Sequence, residues 1–231
     1  MSDTILILLR HGETDWNRER RIQGRIDTPL NDEGLRQARA AARRLAAEAD
    51  GSGATPGSVR SPGGPTARPT AMVSSDLQRC RQTAEPIAGA LGIDCVLEPR
   101  LRERAFGAFE GRTPAELRRD QPLLYERWQR RDPDFDADGG ESLRVFADRI
   151  RSVLDELAAA HRGGTLVVVT HGGVLDVVHR IARGMPLEAA RNFDLPNASL
   201  NRLRFDGDRY EILEWGVVSH WRDALDEIGP A

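Results

Sequence analysis

Two apolar runs in this chain each end in a histidine followed by glycine. Ile5 to Leu9 leads into Arg10-His11-Gly12-Glu13-Thr14, and Thr165 to Val169 into Thr170-His171-Gly172-Gly173. Short apolar runs of this kind read as buried strands, and open α/β sheets bind ligands beyond the carboxyl ends of their strands. Both imidazoles are therefore expected in one shared site. A neutral imidazole can attack phosphorus and divide a hard displacement into two easier ones. The attacking nitrogen must be unprotonated, and a hydrogen bond from the other ring nitrogen to a carbonyl or carboxylate would select that tautomer. Cations must surround the phosphoryl oxygens, since stabilising their charge supplies most of the catalysis. Arg10, Arg79 and a protonated His171 are the candidates, while Gly12 is expected to turn the backbone sharply and bring it close to a ligand.

A departing alkoxide needs a proton and an attacking water must lose one, so a single carboxyl group can serve both steps. The candidate is Glu103, in Leu101-Arg102-Glu103-Arg104-Ala105-Phe106-Gly107. By spacing alone, a glutamate between arginines reads equally as a surface ion pair. His11 and His171 likewise read as buried structural histidines or as metal ligands, although zinc would require a third ligand at sensible spacing. His161, His179 and His220 are scattered and read as structural, as do Glu13 and Asp176. Arg21, Arg102, Arg104 and Arg112 are split between substrate contacts and surface ion pairs. Asn17 and Gln23 are intermediate, because amides also hold loops together.

These groups need a scaffold. Asn31 or Asp32 is placed to cap a helix over Leu35 to Ala49. Ala71 to Ser75 reads as a strand, and Asp76 as the cap of a helix running through Arg79, Thr83 and Ile87 to Leu91. Ile93 to Leu97 is a further strand. Thr113 caps a helix with Pro114 in its first turn, continuing through Leu124 and Trp128, and Asp132 to Gly140 is a loop. Ser142 opens a helix carrying Leu143, Phe146, Ile150, Val153, Leu154 and Leu157 at helical spacing. Another helix covers Val174 to Ala182, and Asp206-Gly207-Asp208 turns a hairpin between Ser199 to Phe205 and Arg209 to Trp215. Alternating strands and helices predict an α/β three-layer sandwich with a largely parallel central sheet. Residues 51–70, rich in Gly, Ser, Pro and Thr, are expected to form a flexible loop inserted in a single domain spanning 1–231.

Composition narrows the function. The 231 residues, 30% charged and 39% hydrophobic with net charge -3, suit a soluble domain with a sizeable core and contain no bilayer-length apolar stretch. All 33 basic residues are arginine. That removes lysine Schiff bases and Walker A loops, while arginine holds phosphate bidentately. Interspersed charge gives no case for nucleic acid or membrane as partner. Cys80 and Cys95 lack paired spacing and read as packing residues in a reducing compartment. Without a basic n-region or a cleavage-site pattern after Met1-Ser2-Asp3-Thr4, a cytoplasmic location is expected.

Taken together, the motifs resemble the histidine phosphatase, or phosphoglycerate-mutase-like, superfamily. Arg10 to Asn17 is similar to its signature, Gln23 to Gly34 to the next block, and Ser74 to Ala84 to its second arginine motif. Leu101-Arg102-Glu103 through Glu110-Gly111, Gly140-Glu141-Ser142 and Thr170 to Gly173 follow in the family's order. The resemblance implies a phosphoglycerate mutase-like fold, His11 as the phosphorylated nucleophile and Glu103 as proton donor and acceptor. It implies a phosphate pocket of Arg10, Arg79 and His171 lined by Asn17, Gln23, Gly24 and Gly172. No metal or organic cofactor is implied; the partner is a small phosphorylated metabolite, and a homodimer is common among similar proteins.

Several departures from the cofactor-dependent mutases favour hydrolysis. Gln23-Gly24 replaces Thr-Gly, His171-Gly172-Gly173 replaces His-Gly-Asn, and Ala105-Phe106-Gly107 replaces His-Tyr-Gly. The substrate-binding lysine of the mutases cannot exist in this lysine-free chain, although arginine could replace it, and Glu116 to Gly140 is short for the mutase insertion. The expected activity is a metal-independent phosphomonoesterase working through phosphohistidine. Phosphoglycerate mutase is the runner-up, and a non-catalytic module that binds a phosphorylated ligand is the alternative from another class.

Overall fold

The computed structural model describes residues 2–51 and 68–221. In chain order the helices and strands are β1 (Thr4–Arg10), α1 (Asp15–Arg18), α2 (Asp32–Asp50), β2 (Ala71–Ser74), α3 (Gln78–Leu91), β3 (Cys95–Leu97), α4 (Pro114–Asp120), α5 (Pro122–Gln129), α6 (Leu143–Ala160), β4 (Thr165–Thr170), α7 (Gly172–Arg183), β5 (Leu200–Phe205) and β6 (Tyr210–Val217). Most of the loop expected over 51–70, namely 52–67, lies outside the described residues.

The six strands form one sheet in the order β3-β2-β4-β1-β5-β6. Pairing is parallel from β3 through β1, while β5 is antiparallel to both neighbours. Five strands thus share one direction, which agrees with the largely parallel expectation. Successive side chains on a strand point to opposite faces, and β1 shows both faces covered. Leu6 and Leu8 join Leu166 and Val168 in a core with residues of α6 and α7. Ile5, Ile7 and Leu9 join Val167 and Val169 in a second core with residues of α2 and α3. Continuous apolar strands are what a sheet buried on both faces requires, and the two cores define the three layers.

Most caps fall where the residues indicated. Asn31 accepts from Gly34 N at 2.8 Å, and Ser142 caps α6 through Val145 N. Thr113 and Glu116 form a capping box at α4. Two expectations are corrected. Asp76 does not cap α3, whose N-cap is Leu77 without a side-chain bond. Arg102 instead takes the Asp76 carboxylate, with Nε donating at 2.7 Å. The helix expected from Thr113 through Trp128 is two helices. Pro122 disfavours the helical region for the residue before it, and Gln121 sits at φ -139, ψ 56. Phe109, Leu117, Tyr125 and Phe135 form a separate apolar cluster there, with Trp128 packed against it.

Candidate active site

Strand register decides the geometry. Arg10 is opposite Thr170, so β1 and β4 end at the same level. His11 follows immediately, its N–H donating to Thr170 O at 2.9 Å. The rings of His11 and His171 meet edge to face with centroids 5.3 Å apart. Gly12 is required for a reason other than the expected one. A Cβ there would lie 2.9 Å from Gly34 C and Cα, so the glycine lets the first turn of α2 approach β1; the crowding comes from the chain itself.

His11 is 3% exposed. Its Nδ1 is 2.7 Å from Gly12 O, and because a carbonyl can only accept, Nδ1 carries the proton and Nε2 the lone pair. Asn197 Nδ2 donates to His11 O at 3.0 Å and to Asn17 Oδ1 at 3.2 Å, tying the nucleophile loop to α1. Thr83 Oγ1 accepts from Gly12 N at 3.0 Å and donates to Arg79 O at 2.7 Å, joining that loop to the arginine helix.

The two arginines are anchored by their terminal nitrogens. Arg79 donates to Ile26 O at 2.9 Å and Gly24 O at 2.7 Å, and Arg10 donates to Leu195 O. The Nε atoms of both are buried and have no acceptor among the described residues. Burial lowers Arg79 and brings Arg10 down to about 10, which leaves both charged at neutral pH. Gln23 accepts from Thr28 Oγ1 at 2.6 Å through Oε1. Gly24, at φ 53, makes room for the Glu110 side chain, and a Cβ on Gly172 would sit 3.3 Å from Arg10 Nε.

Glu103 rests on the start of α7. Its Oε2 accepts from Gly173 N and its Oε1 from Arg104 N, each at 2.8 Å. Arg10, His11, Asn17, Gln23, Gly24, Arg79 and Glu103 line a single cleft of about 160 Å³, with Arg21, Ile22 and Phe106 completing its wall. His171 stands beside His11, and Gly172 packs against Arg10. Every residue singled out in the sequence for the site is thus brought together. A larger depression of about 600 Å³ lies beside Asp3, Arg204 and Tyr210, but it contains no histidine.

The two imidazoles share one electrostatic setting. Burial, followed by the charges of Arg79 and Arg10, pushes His11 well below its ordinary 6.5. Burial, Arg79 and His11 do the same to His171. Its Nε2 lies 2.8 Å from Ser75 Oγ. This has a consequence for stability. The unfolded chain takes up these protons as pH falls through 6.5, whereas the folded chain takes them up only at lower pH. Stability contributed by the neutral imidazoles is therefore intact above pH 6.5 and falls below it, by about 1.4 kcal/mol per pH unit for each histidine. Urea unfolding between pH 7.5 and 5.5 should show this slope, and His171→Asn should reduce it by one proton's worth. An unchanged slope in that variant would contradict the depressed His171.

The arginines left open divide between ion pairs and interior contacts. Arg112 pairs with Asp120, Arg102 with Asp76, and Arg21 with Glu19 while also lining the cleft. Arg104 is buried and donates to Glu141 O and Phe135 O at 2.8 and 2.7 Å. His179 stacks on Phe193, and His220 is 3.1 Å from Ala198 O. Sequence reasoning missed Asn197, Ser75 and Thr83. Asn197 sits in Leu195-Pro196-Asn197-Ala198, a stretch to which the sequence reading assigned no element. Among the described residues, no group of three or more His, Cys, Asp or Glu is placed to hold a metal ion, and no helix is long and apolar enough to cross a membrane.

This constellation on this sheet defines a class. The family model of the histidine phosphatase superfamily (branch 1) matches residues 6–52 and 65–218, and the chain belongs to that family. It is 37% identical to the metal-independent phosphoserine phosphatase of Arabidopsis thaliana, over 94% of this chain and 83% of that protein. It is 36% identical to phosphoglycerate mutase-like protein 4 of the same plant, over 97% and 88% respectively. Among solved structures, it is similar to the mycobacterial glucosyl-3-phosphoglycerate phosphatase complexed with VO3, with a TM-score of 0.75 and 31% identity, covering 92% of this chain and 99% of that one.

Proposed function

We propose that the protein is a phosphomonoesterase that hydrolyses a small phosphorylated metabolite through a phosphohistidine on His11, without a metal ion. The observation that carries this reading is the pair of buried Nε–H groups on Arg10 and Arg79 beside an imidazole whose Nε2 lone pair is available. Buried donors are nearly always satisfied, and a phosphate supplies acceptors for both.

In the first step His11 Nε2 attacks phosphorus and the ester P–O bond breaks, with Glu103 giving a proton to the departing oxygen. In the second, Glu103 takes a proton from water, the water oxygen attacks phosphorus and the P–N bond breaks. That returns neutral His11 and inorganic phosphate. The anchored guanidinium groups stabilise the charge on the non-bridging oxygens without reorganising. A dianion beside His171 supplies the opposite charge that raises its proton affinity, so His171 becomes cationic with substrate in place. Gln23 presents its amide and Asn17 holds the nucleophile loop.

The phosphatase names among its relatives support this reading, and the mutase-like name keeps phosphoglycerate mutase as the alternative. Besides a 3-10 turn at Gly107–Phe109, two short helices, α4 and α5, are the only helices between Glu103 and α6. So small a cover favours water as the acceptor over a retained intermediate. The test is phosphate release from p-nitrophenyl phosphate and a panel of phosphorylated metabolites in excess chelator. Interconversion of 2- and 3-phosphoglycerate, with and without bisphosphate primer, is measured alongside. Chelator-resistant release is expected. Fast interconversion with little release would establish the mutase, and binding without either reaction would establish a phospho-ligand module.

A further inference from the structure

Glu103 stands in residues 103–106, which belong to no helix or strand. A group that must deliver a proton to one particular oxygen needs firmer placing than an unsupported loop provides. The bonds from Gly173 N and Arg104 N hold its carboxylate, but they do not fix the backbone that carries it. That backbone is gripped by a side chain that does not line the cleft, Glu141 of the Gly140-Glu141-Ser142 block.

The Glu141 side chain is only 14% exposed. Its Oε2 accepts from Ala105 N at 3.0 Å and from Arg149 Nη2 at 2.8 Å. Its Oε1 accepts from Arg149 Nε at 2.9 Å and pairs with Arg25 at 3.0 Å. The two-point pairing with Arg149 makes that guanidinium directional. Arg149 Nη1 is thereby aimed at Arg100 O and, at 3.0 Å, at Arg102 O, while Nη2 approaches Glu103 O at 3.4 Å. The main chains also lie together, with Glu141 N donating to Ala105 O at 2.8 Å and Arg104 Nε to Glu141 O at 2.8 Å. A Cβ on Gly140 would lie 2.7 Å from Ala105 O, so glycine lets the two segments touch. Burial opposes the charge on Glu141, but the bonds from Arg149 and Ala105 N outweigh it and keep the carboxyl below its usual range. The chain is thus held on both sides of Glu103, at Arg102 and at Ala105.

A second route from Glu141 runs through Arg25 toward Gly24 O and Ile26 O, the anchors of Arg79. That loop has its own hold, because Glu110 Oε1 accepts from Arg25 N at 3.0 Å. We propose that Glu141 is a positioning residue for proton transfer: with Arg149 as its fork, it fixes the backbone of Glu103 so that the carboxyl meets the departing oxygen. This rests on the phosphatase reading and adds a residue to the same site.

The test measures kcat/KM, which reports the step that breaks the ester P–O bond, on substituted phenyl phosphates from phenyl to p-nitrophenyl. Glu141→Gln should lower it roughly tenfold for phenyl phosphate, within the cost of displacing a reacting group by about 1 Å. The loss should be much smaller for p-nitrophenyl phosphate, whose leaving group departs without a proton. In a Glu103→Gln background the same substitution should cost nothing more, since residues acting as a unit do not add. Arg149→Lys keeps a cation but loses the fork, and it should reproduce both results; it decides the question if Glu141→Gln does not fold. Inhibition by inorganic phosphate should be the same in each variant as in the wild type. Equal losses across the series, or a loss that persists beside Glu103→Gln, would overturn the assignment. Weakened phosphate inhibition would also overturn it, by placing Glu141 behind Arg79. If the wild type releases phosphate from none of the esters, the phosphatase reading fails instead. Amide hydrogen exchange over 102–107 then judges the clamp, and exchange as slow in both variants as in the wild type rejects it.

Discussion

His11→Ala is expected to lower phosphate release from p-nitrophenyl phosphate by about 10⁴-fold or more, the scale seen when a covalent nucleophile is removed. The imidazole is held for attack from two sides: Gly12 O fixes the tautomer and Asn197 holds the loop carbonyl. No other side chain can inherit the role, because His171 is committed to Ser75 through Nε2. Burial and the neighbouring arginines keep the nucleophile neutral at assay pH. A phosphoramidate P–N bond is labile in acid and stable in base, so brief quenching of the wild type should trap label with that profile. The variant should trap none. Circular dichroism and retained vanadate binding separate loss of chemistry from loss of fold. Substantial residual turnover in a folded variant would reject His11 as nucleophile.

Glu103→Gln is expected to cost roughly 10²- to 10³-fold in kcat, within the range for general acid–base catalysis. The loss should depend on the leaving group. An alkyl alkoxide needs the proton that Glu103 delivers, whereas p-nitrophenolate departs without it, so alkyl phosphates should lose much more than the aryl ester. Gly173→Val should produce the same pattern by a different route. A Cβ at position 173 would fall within van der Waals distance of Glu103 Oε1 and 2.9 Å from its Cδ, displacing the carboxylate from its bond to Gly173 N. Phosphate affinity should be nearly unchanged in both variants, because the arginine anchors are separate. Equal losses on alkyl and aryl substrates would mean that Glu103 positions the substrate rather than moving a proton.

Gly173 also gives physical content to one of the departures from the mutase motifs. Where the mutases carry His-Gly-Asn, this chain has His171-Gly172-Gly173, and the missing Cβ is what allows Glu103 to rest on the first turn of α7.

Local physics made much of the molecule legible in one dimension. The apolar runs of β1 and β4 read as buried strands, and the periodicity of α6 as an amphipathic helix. Asn31, Thr113 and Ser142 announced helix starts because their side chains satisfy free amides at a helix entrance. Motif order was enough to nominate His11, Glu103, Arg10, Arg79 and His171. What the chain could not disclose locally was what each polar group meets across the fold. Asp76 had the chemistry of a cap, yet Arg102 from another segment took its carboxylate. Gly12 was needed for the backbone of α2, and Asn197 reached the nucleophile loop across 186 positions. The charge of His171 was likewise set by tertiary structure, since burial beside Arg79 and His11 overrides the intrinsic basicity of imidazole. Propensity and periodicity act over a few residues, so sequence alone determined the elements and the reacting groups. Packing joins residues far apart in the chain, and only the tertiary structure decided their partners and their protonation.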